Sequence, residues 1–436
     1  MGSELLSQVT ETAFLRPQKN LDLLQGLQML IVWYHYNLDS FQMMNLLFLA
    51  TSITTSLGRV ETKGLPDREG YSSENMEQMR AFAGTYYLVT VTFTTNKRPD
   101  ALMNNVNAAY LATCCQALLN QMEYPSDELV VYLVRAQQLL QGVSQGFAQR
   151  KTAPNEKRVP QVRLIHSLRE RIRAVSSALP PHIRTNPTIR GHFLVAEILV
   201  YENSLEELYH CPFLRQSAEP VSAPLSAARM TEDTSERVSM LWECAQLVHA
   251  FLENRLPDEE IIDFPRVVCP TAPDLTYVIL TMIKLATVRM PGWDLARARK
   301  EMQIDEFMSR LLRRLEHAAE NRKSKTNHGA LAHGQPDSEA EDPFAKLARK
   351  VRNVRDLFRV LEYDNDYATS QVVRVYDPAP MTLVDATQDL MQDLGGSLWP
   401  DAASGTRDWD TSVVGEVVDW ATIFHNCAMT DAFLMQ

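Results

Sequence analysis

Leu23, Leu24, Leu27, Leu30, Ile31 and Tyr34 recur at three- and four-residue spacing, the signature of one wide apolar helix face. Such a stretch does not suit a half-buried strand, where apolar residues alternate, and it needs other elements to cover it. The same spacing predicts helices over 20–37, 40–58, 75–94, 99–122, 126–149, 161–178, 188–207, 234–256, 275–285 and 344–362. Only 16 of 436 residues are glycine, below the usual share of about 7%. Few glycines disfavour phosphate-cradling loops and tight hairpins and favour long helices joined by short turns. The segment Val89-Thr90-Val91-Thr92-Phe93 has the β-branched composition of a strand. The helical spacing of Met79, Phe82, Ala83 and Tyr86 before it argues for helix instead. Ser126, ahead of Leu129 and Val130, reads as the cap that opens the next helix. The expected fold class is all-α, a multi-helix bundle or superhelix.

Charge narrows the function classes. Of the formal net charge of −11, residues 381–436 contribute −8, from nine acids against Arg407. The remainder has no basic surplus to neutralise phosphates, so tight DNA binding by this chain alone is not expected. In the tail the acids alternate with Trp399, Trp409, Trp420 and Phe424, a pattern that suits a partner-binding or activation segment. An amphipathic terminal helix docked on the body is the plainer reading of the same residues. No run of apolar residues is long enough to span a bilayer, and no signal peptide is visible, so a soluble intracellular protein is expected.

The motifs that could carry chemistry are weak. Gly142-Val143-Ser144-Gln145-Gly146 fits G-x-S-x-G, but a nucleophile elbow needs a strand before the serine. Leu133 to Leu140 reads as amphipathic helix, so the glycines are expected to end or loosen that helix. Cys114, Cys115, Cys211, Cys244, Cys269 and Cys427 form no C-x-x-C pair, and no zinc site or redox dithiol is expected. His35, with no second histidine or cysteine three or four positions away, and the pair His210-Cys211 give no metal pattern. Glu197, Glu202, Glu206 and Glu207 read as solvated helix faces. Arg313, Arg314, Arg322, Lys323 and Lys325 form the densest basic run, a nuclear-import signal or a solvated helix end. No catalytic residue, cofactor site or metal site is assigned.

Several boxes taken in order resemble one family. Leu23-Leu24-Gln25-Gly26-Leu27-Gln28 through Trp33-Tyr34-His35-Tyr36 is similar to a leucine-glutamine, tryptophan-tyrosine-histidine box. Asn45 to Ala50 with Ser56-Leu57-Gly58 follows, then Glu77 with Arg80-Ala81-Phe82 and Tyr86-Tyr87. Cys114-Cys115, Leu118 and Pro125-Ser126-Asp127 continue the series. Trp242-Glu243-Cys244-Ala245 and Pro291-Gly292-Trp293-Asp294-Leu295 complete it, so the likeness runs from about residue 20 to 315. These boxes resemble the regulatory (middle homology) domain of fungal transcription factors of the binuclear zinc cluster family. The six-cysteine zinc cluster of that family is missing from these residues; it either lies upstream or never belonged to the protein.

The resemblance implies a nuclear regulator, with no enzymatic activity, that acts through other transcription regulators or coactivators and as a homo- or hetero-oligomer. Control of a secondary-metabolite gene cluster is a further expectation from it. A helical scaffold or adaptor is the alternative reading, and a hydrolase using residues 142–146 the third. The expected organisation is a lead-in at 1–19, a helical regulatory domain at 20–320 and a disordered loop at 321–343. A helical continuation at 344–380 and the acidic-aromatic segment at 381–436 follow.

Overall fold

A computed structural model describes residues 2–15, 20–34, 40–60, 70–95, 108–152, 161–209, 231–257, 272–288, 292–330 and 342–367. The described residues form α-helices and no strand, so the protein is all-α. In chain order they are α1 (Gly2–Thr10), a π-helical turn (Glu11–Leu15), α2 (Leu21–Tyr34), α3 (Ser40–Leu57), α4 (Ser73–Thr95) and α5 (Ala108–Gln121). Then come α6 (Pro125–Thr152), α7 (Gln161–Ser177), α8 (Pro181–Arg184), α9 (Pro187–Tyr209) and α10 (Thr231–Arg255). The series ends with α11 (Ala272–Thr287), α12 (Leu295–Glu301), α13 (Ile304–Ala330) and α14 (Pro343–Tyr367).

The chain divides into two compact units. Unit one takes the described residues of 1–200 and 268–274, and unit two those of 201–267 and 275–430. The division falls inside the stretch 20–320 that the sequence reads as one domain.

Unit one is built around α4, which packs on α2, α3, α5 and α6. From Ala81 to Thr94 nearly every residue of α4 is buried, so this helix has no solvent face along that length. Its threonines fit because their hydroxyls bond back one turn. Thr90 donates to the Tyr86 carbonyl at 2.7 Å and Thr92 to the Leu88 carbonyl at 2.9 Å. The β-branched run 89–93 is therefore helix, as the spacing before it argued. The face of α2 is also as expected: Leu23, Leu24, Leu27, Leu30 and Ile31 are all buried. The side chains of Trp33 and Tyr34, and His35 itself, lie outside the described residues.

In unit two, α13 and α14 pair along their lengths. Buried Phe307, Leu311, Leu315, Leu347, Val351 and Phe358 supply their apolar faces. Exposed ion pairs such as Arg359 Nε to Asp305 Oδ1 at 2.5 Å add ~0–1 kcal/mol each.

The lead-in is helical in α1 and the following π-turn, where Leu6 and Val9 supply apolar positions three apart. Two expectations need correction. The stretch expected to be disordered from 321 begins as helix, because α13 continues to Ala330. Its side chains find partners there: Arg322 bonds Asp342 at 3.2 Å and lies over the Phe344 ring. Residues 331–341 and 368–380 lie outside the described set. Second, Ser126 is not the cap of α6, which starts at Pro125. The Asp127 carboxylate instead accepts the Tyr124 amide proton at 3.1 Å, the reciprocal half of a capping box.

Candidate functional site

The boxes read from the sequence meet in pairs. Gln28 of the first box donates both amide protons into α4, to the Ala81 carbonyl at 2.6 Å and the Thr85 hydroxyl at 2.8 Å. Thr54 of α3 joins the same hydroxyl at 3.2 Å, so one buried polar knot fixes α2, α3 and α4. Arg80 of the third box reaches the Pro125-Ser126-Asp127 turn. Its Nε meets Asp127 Oδ1 at 2.6 Å, and its Nη2 lies 3.0 Å from Oδ2 and 2.5 Å from Glu123. Burial works against the guanidinium's charge, but the hydrogen bonds to Asp127 and Glu123 outweigh it and raise its pKa. The Asp127 side chain is only 1% exposed, and Arg80 also covers the Tyr124 ring at 4.6 Å.

In unit two the tryptophan boxes meet likewise. The rings of Trp242 and Trp293 are 4.4 Å apart, and the indole of Trp293 donates to the Leu285 carbonyl at 3.1 Å. Gly292 takes φ +81°, a left-handed turn that favours glycine, and Asp294 caps α12 by accepting from the Arg297 amide at 3.0 Å.

The thiols of the boxes are sealed. Burial pushes Cys114 up to about 12 and Cys115 up to about 11, and it raises Cys244 as well. At pH 8 each native thiol is then ionised to about one part in a thousand or less. Mass-mapped labelling with a disulfide reagent should therefore spare Cys114, Cys115 and Cys244 until the protein unfolds. Prompt labelling of any of the three in the native state would contradict the packing described. The sign for stability follows from the same shift. Unfolded thiols ionise near pH 9 while these stay protonated, so their contribution is full below pH 9 and is lost as pH rises toward 11–12.

Buried polar groups escaped the sequence reading, His192 and Glu202 among them. His192 in α9 is 0% exposed and holds Asp274 Oδ2 at 2.6 Å on Nδ1 and the Tyr87 hydroxyl at 2.8 Å on Nε2. The carboxylate accepts only, which assigns the proton to Nδ1 and lets Nε2 accept from Tyr87. An Asp–His–Tyr chain has the form of a proton relay, but its histidine and carboxylate are closed to solvent. It holds α9 to α4 as structure. Glu202 corrects the expectation of a solvated face: it is 0% exposed and binds Lys284 Nζ at 2.6 Å, with Tyr277 at 3.4 Å. The polarity of a lone histidine on an apolar helix is a signal that could have flagged His192; Glu202, one of four glutamates on the same helix, carries no such signal.

Ser144 lies inside α6, which runs unbroken to Thr152, so Gly142 and Gly146 do not end it. No elbow geometry exists at that serine. The two glycines line instead a cleft of about 540 Å³ in unit one, together with Gln138, Gln141, Gln145 and Arg171. Among the described residues, no group of three His, Cys, Asp or Glu is placed to hold a metal, and no helix is long and apolar enough to cross a membrane. The expected partner-binding residues Trp399, Trp409, Trp420 and Phe424, with the segment 381–436, lie outside the described residues. So do His210, Cys211, Cys269 and Cys427.

The described motif residues are spent on packing one helix against another. Comparison with known proteins gives a distant likeness. Over 237 residues the chain is 22% identical to a protein of Aspergillus terreus (strain NIH 2624 / FGSC A1156) described as a transcription factor. The match covers 52% of this chain and 35% of that protein, so the chain spans about a third of the relative's length. No protein-family profile matches the chain, and no solved structure matches it.

Proposed function

We propose that this chain is a regulatory part of a fungal transcriptional regulator that acts through protein partners. The observation that carries the reading is the 237-residue likeness to the Aspergillus terreus transcription factor. The ordered boxes support it, because they bind the helices to one another rather than converge on reacting groups. Nuclear action, control of a secondary-metabolite gene cluster and association with coactivators belong to the same proposal.

The tail is its working end in this reading. Trp399, Trp409, Trp420 and Phe424 offer far more apolar burial than exposed aspartates offer as ion pairs, about 0–1 kcal/mol each. The acids keep those anchors solvated and steer encounters. Residues 381–436 fused to an unrelated DNA-binding domain should activate a reporter gene. Replacing Trp399, Trp409 and Trp420 by alanine should abolish that activity. Replacing Asp401, Asp408 and Asp410 by asparagine should only weaken it. A silent fusion, with unchanged transcript profiles in a strain lacking the gene, would sink the proposal and favour the scaffold reading.

A further inference from the structure

The glycines of the cleft are not explained by the fold. Neither has a positive φ, and glycine inside a helix costs about 0.5–1 kcal/mol relative to alanine. Nor does packing demand them. A Cβ on Gly142 would sit 3.6–3.8 Å from the Arg171 guanidinium, and one on Gly146 would sit 3.8–3.9 Å from Leu164 and Leu168, both ordinary contacts. What they provide is a floor without side chains under an opening of about 540 Å³, within the range of small-molecule sites.

The chemistry around that floor is selective. Gln138, Gln141, Gln145 and Gln149 of α6 line it at three- and four-residue spacing. Among the described residues that line the cleft, Arg171 is the one that is charged, and none is a carboxylate. Arg171, Gln138 and Gln145 make no hydrogen bond or ion pair to any described residue. Gln141 accepts the Tyr86 hydroxyl at 3.0 Å on Oε1, which leaves its NH2 group to donate. Burial raises the Tyr86 pKa, so that hydroxyl stays protonated. Phe82, Leu111 and Leu168 form an apolar wall. Donor amides beside an unopposed guanidinium suit a carboxylate, and the wall suits an aromatic or alkyl body.

We propose that this cleft binds a small monocarboxylic acid with an apolar body, its carboxylate held by Arg171 and the amides of Gln138, Gln141 and Gln145. The site is argued from the cleft alone and stands whether or not the chain regulates transcription.

Calorimetric titration of the full chain with 2-naphthoate, cinnamate and octanoate, and with their methyl esters, tests it. At least one acid should bind with a Kd below about 1 mM, and its ester about tenfold or more weaker. Arg171→Gln, a change at an exposed side chain, should weaken the acid by about tenfold or more. Gly142→Leu should fill the floor and abolish binding while keeping the helical circular dichroism, since leucine favours a helix over glycine. If Gly142→Leu does not fold, Arg171→Gln decides alone. Absence of saturation by all three acids, equal affinity for acid and ester, or undiminished binding by either folded variant would overturn the proposal.

Discussion

Arg80→Met is expected to destabilise unit one by about 3 kcal/mol, at the lower end of the 3–5 kcal/mol seen when one partner of a buried pair is removed. The reason is what remains. Asp127 would be left at 1% exposure with the Tyr124 amide as its remaining close donor and no guanidinium beside it. Hydrogen exchange on peptides from α4 and α6 would isolate this unit from the rest of the chain. The double variant Arg80→Met/Asp127→Asn should recover much of the loss, because it removes the stranded charge and keeps a capping oxygen. A single variant that protects α4 as well as the parent protein does would show that the clamp contributes nothing.

Lys284→Met should produce the largest loss in unit two, about 3–5 kcal/mol. Glu202 is wholly buried, and its Tyr277 contact at 3.4 Å is too long to replace an ammonium at 2.6 Å. The methionine is similar in length to lysine, so packing is largely kept and the loss reports on charge. Adding Glu202→Gln to Lys284→Met should restore most of the stability, measured as exchange protection in α10 and α11. If the double variant is as unstable as the single one, the pair matters for its shape rather than for its charge balance.

The helices were legible because their evidence is local. The spacing of Leu23, Leu27 and Leu30, or of Met79, Phe82 and Tyr86, repeats within one turn and needs no knowledge of the partner helix. Polar partnerships were not legible for the opposite reason. Arg80 and Asp127 are 47 positions apart, and His192 and Asp274 are 82 apart. A single glutamate such as Glu202 looks the same in sequence on a solvated face as beneath a lysine. The stretch from 321 misled differently: asparagine, arginine and lysine without an apolar period read as an exit from structure, yet α13 continues through them to Ala330. The cleft lay beneath the G-x-S-x-G motif. Its glycines were noticed, but their role depends on Arg171 and Leu168 from another helix.

Asp274 sets a condition on how the protein can be made. On a ribosome, α4 and α9 are both synthesised well before the carboxylate that His192 needs. Until residue 274 has emerged, Nδ1 of a buried imidazole has no anion opposite it, and unit one stays short of its final arrangement. Its last step is then a long-range closure rather than a local zippering, the slow kind of folding event. A shortened gene ending at residue 200 would hold the nascent chain at that stage permanently, exposed to the association that traps incomplete domains.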